Sequence, residues 1–156
     1  MTQPSGSCII RVYALLLDEN NRVLVTDEFQ LDQRMTKFPG GGLEFGEGPE
    51  QCLVREIQEE CNGQEITQIA HYYTTGFYQP ALFYPNHQLI SIYYTARLAT
   101  PPKFKISEKP YDFRHDQNGN QSFRWEAIDQ LTVDSFTFPI DRYVVQILQK
   151  STQPKT

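Results

Sequence analysis

The chain has 156 residues, of which 39 % are hydrophobic, and a net charge of −5. That length suits one domain able to bury a core, and the composition is too apolar for a disordered chain. The acidic balance excludes a general nucleic-acid or membrane-surface binder, since both need a basic footprint. A phosphorylated small molecule stays within reach if a metal ion neutralises its phosphates.

In chain order, Met1–Ser7 reads as a loose polar arm, 8–150 as a single domain and 151–156 as a tail. Cys8 to Leu17 is rich in β-formers, too short to span a membrane and without a signal-peptide layout. Asp18-Glu19-Asn20-Asn21 is a turn-forming cluster and Arg22 to Thr26 resumes the apolar pattern, so the two runs are expected to pair as a hairpin. Lys37-Phe38-Pro39 then leads into Gly40-Gly41-Gly42, and Leu43 to Phe45 reads as a short extended piece.

Pro49 to Cys61 reads as a helix. Proline suits its first position, where the missing N–H costs nothing, and Asn62-Gly63 can turn left-handed at its end. Leu53, Val54, Ile57 and Cys61 share its expected packing arc. Ile66 to Phe77 and His87 to Leu98 are strand candidates joined by a Pro-containing loop, and Thr100 to Asn120 is a polar connection of a length that often carries function. Gln121 to Ile128 reads as a further strand. Phe138 to Lys150 closes the chain as an amphipathic helix with Ile140, Tyr143, Val144, Ile147 and Leu148 on one face. This order favours an α/β class, a mixed sheet covered by helices on both faces.

Cys8, Cys52 and Cys61 are odd in number and lack metal-ligand spacing, which suits reduced packing thiols in a cytoplasmic protein. His71, His87 and His115 have no evident catalytic partners.

Chemistry concentrates between Gly41 and Gly63. At about 100° per residue, Glu56, Glu59 and Glu60 fall within one arc of the helix, beside the apolar arc but distinct from it. Like charges at that spacing weaken a bare helix, and a hard divalent cation with oxygen ligands turns their repulsion into coordination. Gly40, Gly41 and Gly42 can aim a carbonyl at an ion and let phosphate oxygens approach the main chain. Arg55, four residues before Glu59, can orient a carboxylate. An acidic cluster is ordinarily a solvated face and a glycine turn only a turn. A solvated face, however, requires neither a triple glycine nor an arginine at set distances.

These residues resemble the Nudix hydrolases, whose signature is G-x5-E-x7-R-E-U-x-E-E-x-G-U with U aliphatic. Gly41, Glu47, Arg55, Glu56, Ile57, Glu59 and Glu60 match in register, while Asn62 stands at the glycine position and Gly63 at the last aliphatic one. The resemblance implies the Nudix α/β/α sandwich with a mixed central sheet. It also implies Mg²⁺ or Mn²⁺ held by the Gly41 carbonyl, Glu56 and Glu60, with Glu59 a further ligand or the water-activating base. Glu47 and Arg55 would support the loop and orient the helix carboxylates.

The activity implied is hydrolysis of a nucleoside diphosphate linked to another moiety: a nucleotide sugar, ADP-ribose, a dinucleoside polyphosphate or a (d)NTP. The partner is then a small nucleotide, with no nucleic acid or membrane, acting on a monomer or homodimer. The alternative is a catalytically silent domain of the same kind that senses a nucleotide. Gly40 and Gly42 are candidate phosphate contacts, and Tyr78 lies near the tyrosine of dinucleoside-polyphosphate relatives. Many relatives carry a glutamate shortly before the last-strand tryptophan, where this chain has Gln121 ahead of Trp125. Glu108, ahead of Asp112 and Asp116, is the preferred substitute from the loop.

Overall fold

The computed structural model describes residues 5–152. It contains β1 (Ser7–Leu16), β2 (Arg22–Gln30), β3 (Gln33–Lys37), β4 (Gly40–Gly42), α1 (Pro49–Glu60), β5 (Ile66–Thr74), β6 (His87–Leu98), β7 (Gln121–Ala127) and α2 (Pro139–Thr152). Most of the expected arm and tail lies outside the described residues; Ser7 already belongs to β1, and α2 runs past Lys150 to Thr152. No helix among the described residues is long and apolar enough to cross a membrane.

The strands form two sheets, β4-β1-β6-β5 and β3-β2-β7. The first is mixed, since β1 runs parallel to β6 but antiparallel to β4. This corrects the expected β1–β2 hairpin. The turn forms, with Leu17 bridged to Val23 and the Asp18 N–H donating to the Arg22 carbonyl at 3.1 Å. Beyond it the strands part, because both ladder edges of β1 are taken by β4 and β6 and both edges of β2 by β3 and β7.

Alternation along the strands divides the core into two layers. Tyr13, Leu15, Val23 and Val25 pack with Ile140, Val144, Val145 and Leu148 of α2. Val12, Ala14, Leu16 and Leu24 pack with Cys52, Leu53, Ile57 and Cys61 of α1. Both faces being covered explains why Val12–Leu16 reads as a continuous apolar run. The result is the α/β/α sandwich.

The buried arc of α1 holds Cys52 where Val54 was expected, and that of α2 holds Asp141 and Val145 while Tyr143 is exposed. Cys8 is exposed, contrary to a packing role, whereas Cys52 and Cys61 are buried and burial raises both thiols to about 12. Leu43–Phe45 is not extended strand; the strand is Gly40–Gly42 itself. The sequence reading passed over β3 altogether.

The ends of α1 follow from its flanking residues. Gln51 folds back so that its Oε1 accepts the Gly48 N–H at 2.7 Å. At the other end Asn62 and Gly63 both take positive φ, 54° and 76°, and the Gly63 N–H donates to the Gln58 carbonyl at 2.8 Å. Asn62 therefore performs the turn that glycine would allow. Its side-chain amide also donates to the Lys103 carbonyl at 2.9 Å.

Candidate active site

Arg55 is the hub of the glutamate helix. Its Nε and Nη2 grip Glu47 at 3.0 and 2.7 Å, and Nη2 also donates to the Gly42 carbonyl at 3.1 Å. Nη1 donates to Glu56 at 3.0 Å and to Glu59 at 3.3 Å. One guanidinium thus ties the glycine loop to two helix carboxylates, which only a planar fork of donors can do. Its bonds hold the Glu47 carboxyl down at about 2, and the same contacts raise the pKa of Arg55.

Glu60 lies apart from that hub. Burial, the largest influence, pushes its carboxyl up to about 7 against the opposing pull of Lys37, and its Oε2 is buried without a hydrogen-bond partner. A buried acceptor left unmet is costly unless something else occupies it. Among the described residues no three acidic, histidine or cysteine side chains converge into a metal cage by themselves.

The glycines have separate reasons to be there. A Cβ on Gly40, whose φ is 148°, would lie 2.1 Å from the Val12 carbonyl oxygen. A Cβ on Gly41 would lie 2.4 Å from the Glu56 carboxylate. The space beside Gly41 is thus the space Glu56 occupies. Gly41→Ala is expected to displace that carboxylate, lowering turnover by about 10²-fold while costing no more than about 1–3 kcal/mol of stability. Steady-state kinetics and urea melts check both.

A cavity of about 300 Å³ opens between the two sheets, and its lining residues Arg11 and Lys37 lie within electrostatic reach of Glu56 and Glu60 respectively. Phe83, Leu89 and Phe138 give it apolar walls, and Arg11, Glu28 and Lys37 a polar side. Lys37 pairs with Glu28 at 3.2 Å, both nearly buried. Asp141 and Ser91 line the cavity too, and Asp141 Oδ2 is buried without a partner although Oδ1 receives the Tyr93 hydroxyl at 2.5 Å. Burial pushes the Asp141 carboxyl up to about 7.

That shift has a sign. Between about pH 4 and 7 the folded protein keeps a proton on Asp141 that the unfolded chain has released, so stability falls as pH rises through that window. Asp141→Asn removes the cost, and urea unfolding at pH 8 should show the variant more stable by up to about 4 kcal/mol, with little difference at pH 4.

The structure brings Gly41, Glu47, Arg55, Glu56 and Glu59 into one connected set, with Glu60 on the side toward Lys37. Of the loop acids, Glu108 is exposed, Asp112 is held by Lys105 and Lys109, and Asp116 by Arg34. Tyr78 is 73 % exposed and does not line the cavity, whereas the following residues Gln79 to Tyr84 do.

Sequence reasoning missed Arg11, Glu28, Lys37, Tyr93 and Asp141. One signal was available: Asp141 sits four residues before Val145, within the buried arc of α2.

Comparison with known proteins bears on the family and the fold. A family model described as the NUDIX domain matches residues 9–146. An 8-oxo-dGTP diphosphatase of Escherichia coli (strain K12) is 45 % identical over 49 residues, which are 30 % of this chain and 37 % of that protein. One from Proteus vulgaris is 42 % identical over 57 residues, 35 % of this chain and 49 % of that protein. The matched stretches thus span less than half of either relative. Among solved structures, a NUDIX hydrolase from Nitrosomonas europaea superposes with a TM-score of 0.67 at 15 % identity, covering 93 % of this chain and 90 % of that one. The E. coli ORF135 protein does so with a TM-score of 0.66 at 18 % identity over 100 % of both chains. At these identities the likeness is one of fold. The family match runs unbroken from β1 through the glycine loop and glutamate helix into α2, and the chain belongs to the NUDIX domain family.

Proposed function

We propose that this protein is a divalent-metal-dependent hydrolase that cleaves a pyrophosphate bond in a nucleotide. The observation that carries the reading is the buried, unpartnered Oε2 of Glu60, within electrostatic reach of a Glu56 carboxylate held by Arg55 in the space left by Gly41. The donor set fits Mg²⁺ or Mn²⁺. Mg²⁺ is ordinarily held by one or two carboxylates together with water and substrate phosphate rather than by a complete protein cage. Glu56, Glu60 and the Gly41 carbonyl would hold the ion, with Glu59 alongside. When bound, it would lower the pKa of an attacking water and neutralise phosphoryl charge.

The chain's own residues divide the remaining work. Arg55 fixes Glu56 and keeps Glu59 near it, leaving the more exposed Glu59 to take a proton from water. Glu47 fixes Arg55 in turn. The cavity takes the nucleoside end, its apolar walls stacking the base and Asp141 offering a neutral O–H or an acceptor to the base edge. The curated relatives are 8-oxo-dGTP diphosphatases, which favours a purine deoxynucleoside triphosphate among the substrates considered.

The test is hydrolysis of dGTP, 8-oxo-dGTP, ADP-ribose, a nucleotide sugar and a dinucleoside polyphosphate, each with Mg²⁺, Mn²⁺ or EDTA. Metal-dependent turnover of at least one supports the reading. Nucleotide binding without turnover in every case replaces it with the sensing domain.

A further inference from the structure

We propose that Arg11 anchors the substrate phosphate next to the nucleoside, between the base cavity and the glutamate helix. This rests on the nucleotide reading above and adds to it a residue outside the signature. Arg11 and Tyr13 alternate on β1, so both side chains leave the same face, and both line the cavity. In the ladder Arg11 stands opposite Gly42 and Val12 opposite Gly41, the glycine that touches Glu56. The arginine therefore lies between the cavity it lines and Glu56, whose charge reaches it.

Its bonding leaves it free to receive a ligand. Nε donates to the Tyr13 hydroxyl at 2.7 Å, and the guanidinium carbon lies 5.6 Å from that ring. The two terminal nitrogens make no hydrogen bond or ion pair among the described residues. Arg22, Arg34, Arg55 and Arg124 by contrast each close an ion pair, and Lys37 on the same wall is taken by Glu28. Tyr13 thus fixes the stem while the outward fork stays unspent. Gly42 keeps the approach open: even a Cβ there would stand 4.0 Å from Arg11 Nη1.

The anion that meets this fork follows from what lies on either side. Asp141 Oδ2 lacks a partner in the cavity that Arg11 also lines, and Arg11 lies within electrostatic reach of both Asp141 and Glu56. A molecule with its base against Asp141 and its reacting pyrophosphate at Glu56 and Glu60 would bring the phosphate that joins them within reach of Arg11. A guanidinium meets phosphate through two parallel N–H bonds. A cation here also offsets the repulsion between a polyanionic substrate and the surrounding acids, whether or not metal is bound.

Calorimetric binding of dGMP and of deoxyguanosine, in EDTA, isolates the phosphate contribution from metal and turnover. The wild type should bind dGMP about tenfold or more tightly than deoxyguanosine. Arg11→Gln should erase that preference while leaving deoxyguanosine affinity in place, and Arg11→Lys should restore part of it. Tyr13→Phe, which keeps the charge but releases the stem, should lose less, and it serves as the probe if Arg11→Gln melts early. For a hydrolysed triphosphate, Arg11→Gln should raise KM by about 10- to 100-fold with a smaller change in kcat.

The proposal is overturned if Arg11→Gln keeps the dGMP preference, or if the wild type shows none. Equal loss of both ligands also overturns it, since Arg11 would then shape the base cavity. Metal-dependent turnover that is indifferent to Arg11→Gln sinks the anchor alone. Arg11-dependent dGMP binding without any turnover sinks the hydrolase reading alone.

Discussion

Glu60→Gln is expected to lower turnover by about 10²-fold or more while making the metal-free protein harder to unfold. Both effects come from one buried carboxyl. Burial holds it at about 7 against an ordinary 4.5, so between those values the folded protein retains a proton that the unfolded chain has lost. Stability therefore declines as pH rises through that interval and stays reduced above it. A neutral amide of the same shape removes a cost on the order of 3 kcal/mol at pH 8. The same change deletes a proposed metal ligand, so the melting temperature should stop responding to Mg²⁺. In the wild type an ion present at about 100 times its Kd adds about 2.7 kcal/mol. Urea unfolding at pH 5 and 8, with and without Mg²⁺, separates the two effects. A variant that is active, or no more stable than wild type at pH 8, contradicts this assignment.

Arg55→Ala should be damaging in both respects, with stability and rate falling together. The side chain is 25 % exposed and its partners Glu47 and Glu56 only 14 % and 15 %. Removing it leaves Glu47, Glu56 and Glu59 without their shared cation, so that they repel one another and stability falls. Turnover should drop by about 10²-fold or more, since Glu56 loses the contact that aims it and the loop carbonyl of Gly42 loses its donor. Arg55→Lys should recover part of the stability and little of the rate. A single ammonium cannot meet Glu47, Glu56 and the carbonyl in the geometry of a fork. Equal rates in Arg55→Lys and wild type would show that charge alone suffices there.

The site's chemistry was legible because it is local. Arg55, Glu56, Glu59 and Glu60 lie on one helix whose period sets their spacing, and the glycine loop precedes it directly. The helix stop at Asn62 followed from the tolerance of asparagine for positive φ. What stayed hidden depends on partners far away in sequence. Strand β3, Gln33–Lys37, shows no apolar alternation, and Lys37 is buried because Glu28 lies diagonally across the ladder from it. Asp141 is buried on α2 because Tyr93, 48 residues away, donates to it. The split into two sheets is likewise decided by which strands claim the edges of β1 and β2, a choice that period-two patterns along one strand do not encode.

If the helix carboxylates and the Gly41 carbonyl hold a divalent ion, titrating Mn²⁺ into the protein while following the electron paramagnetic resonance of the free ion reads its uptake. The wild type should remove Mn²⁺ from solution saturably, and Mg²⁺ should compete it off. Glu56→Gln and Glu60→Gln should each abolish that uptake, whereas Glu108→Gln should leave it unchanged. Uptake that persists undiminished in both helix variants would place the ion away from the helix carboxylates.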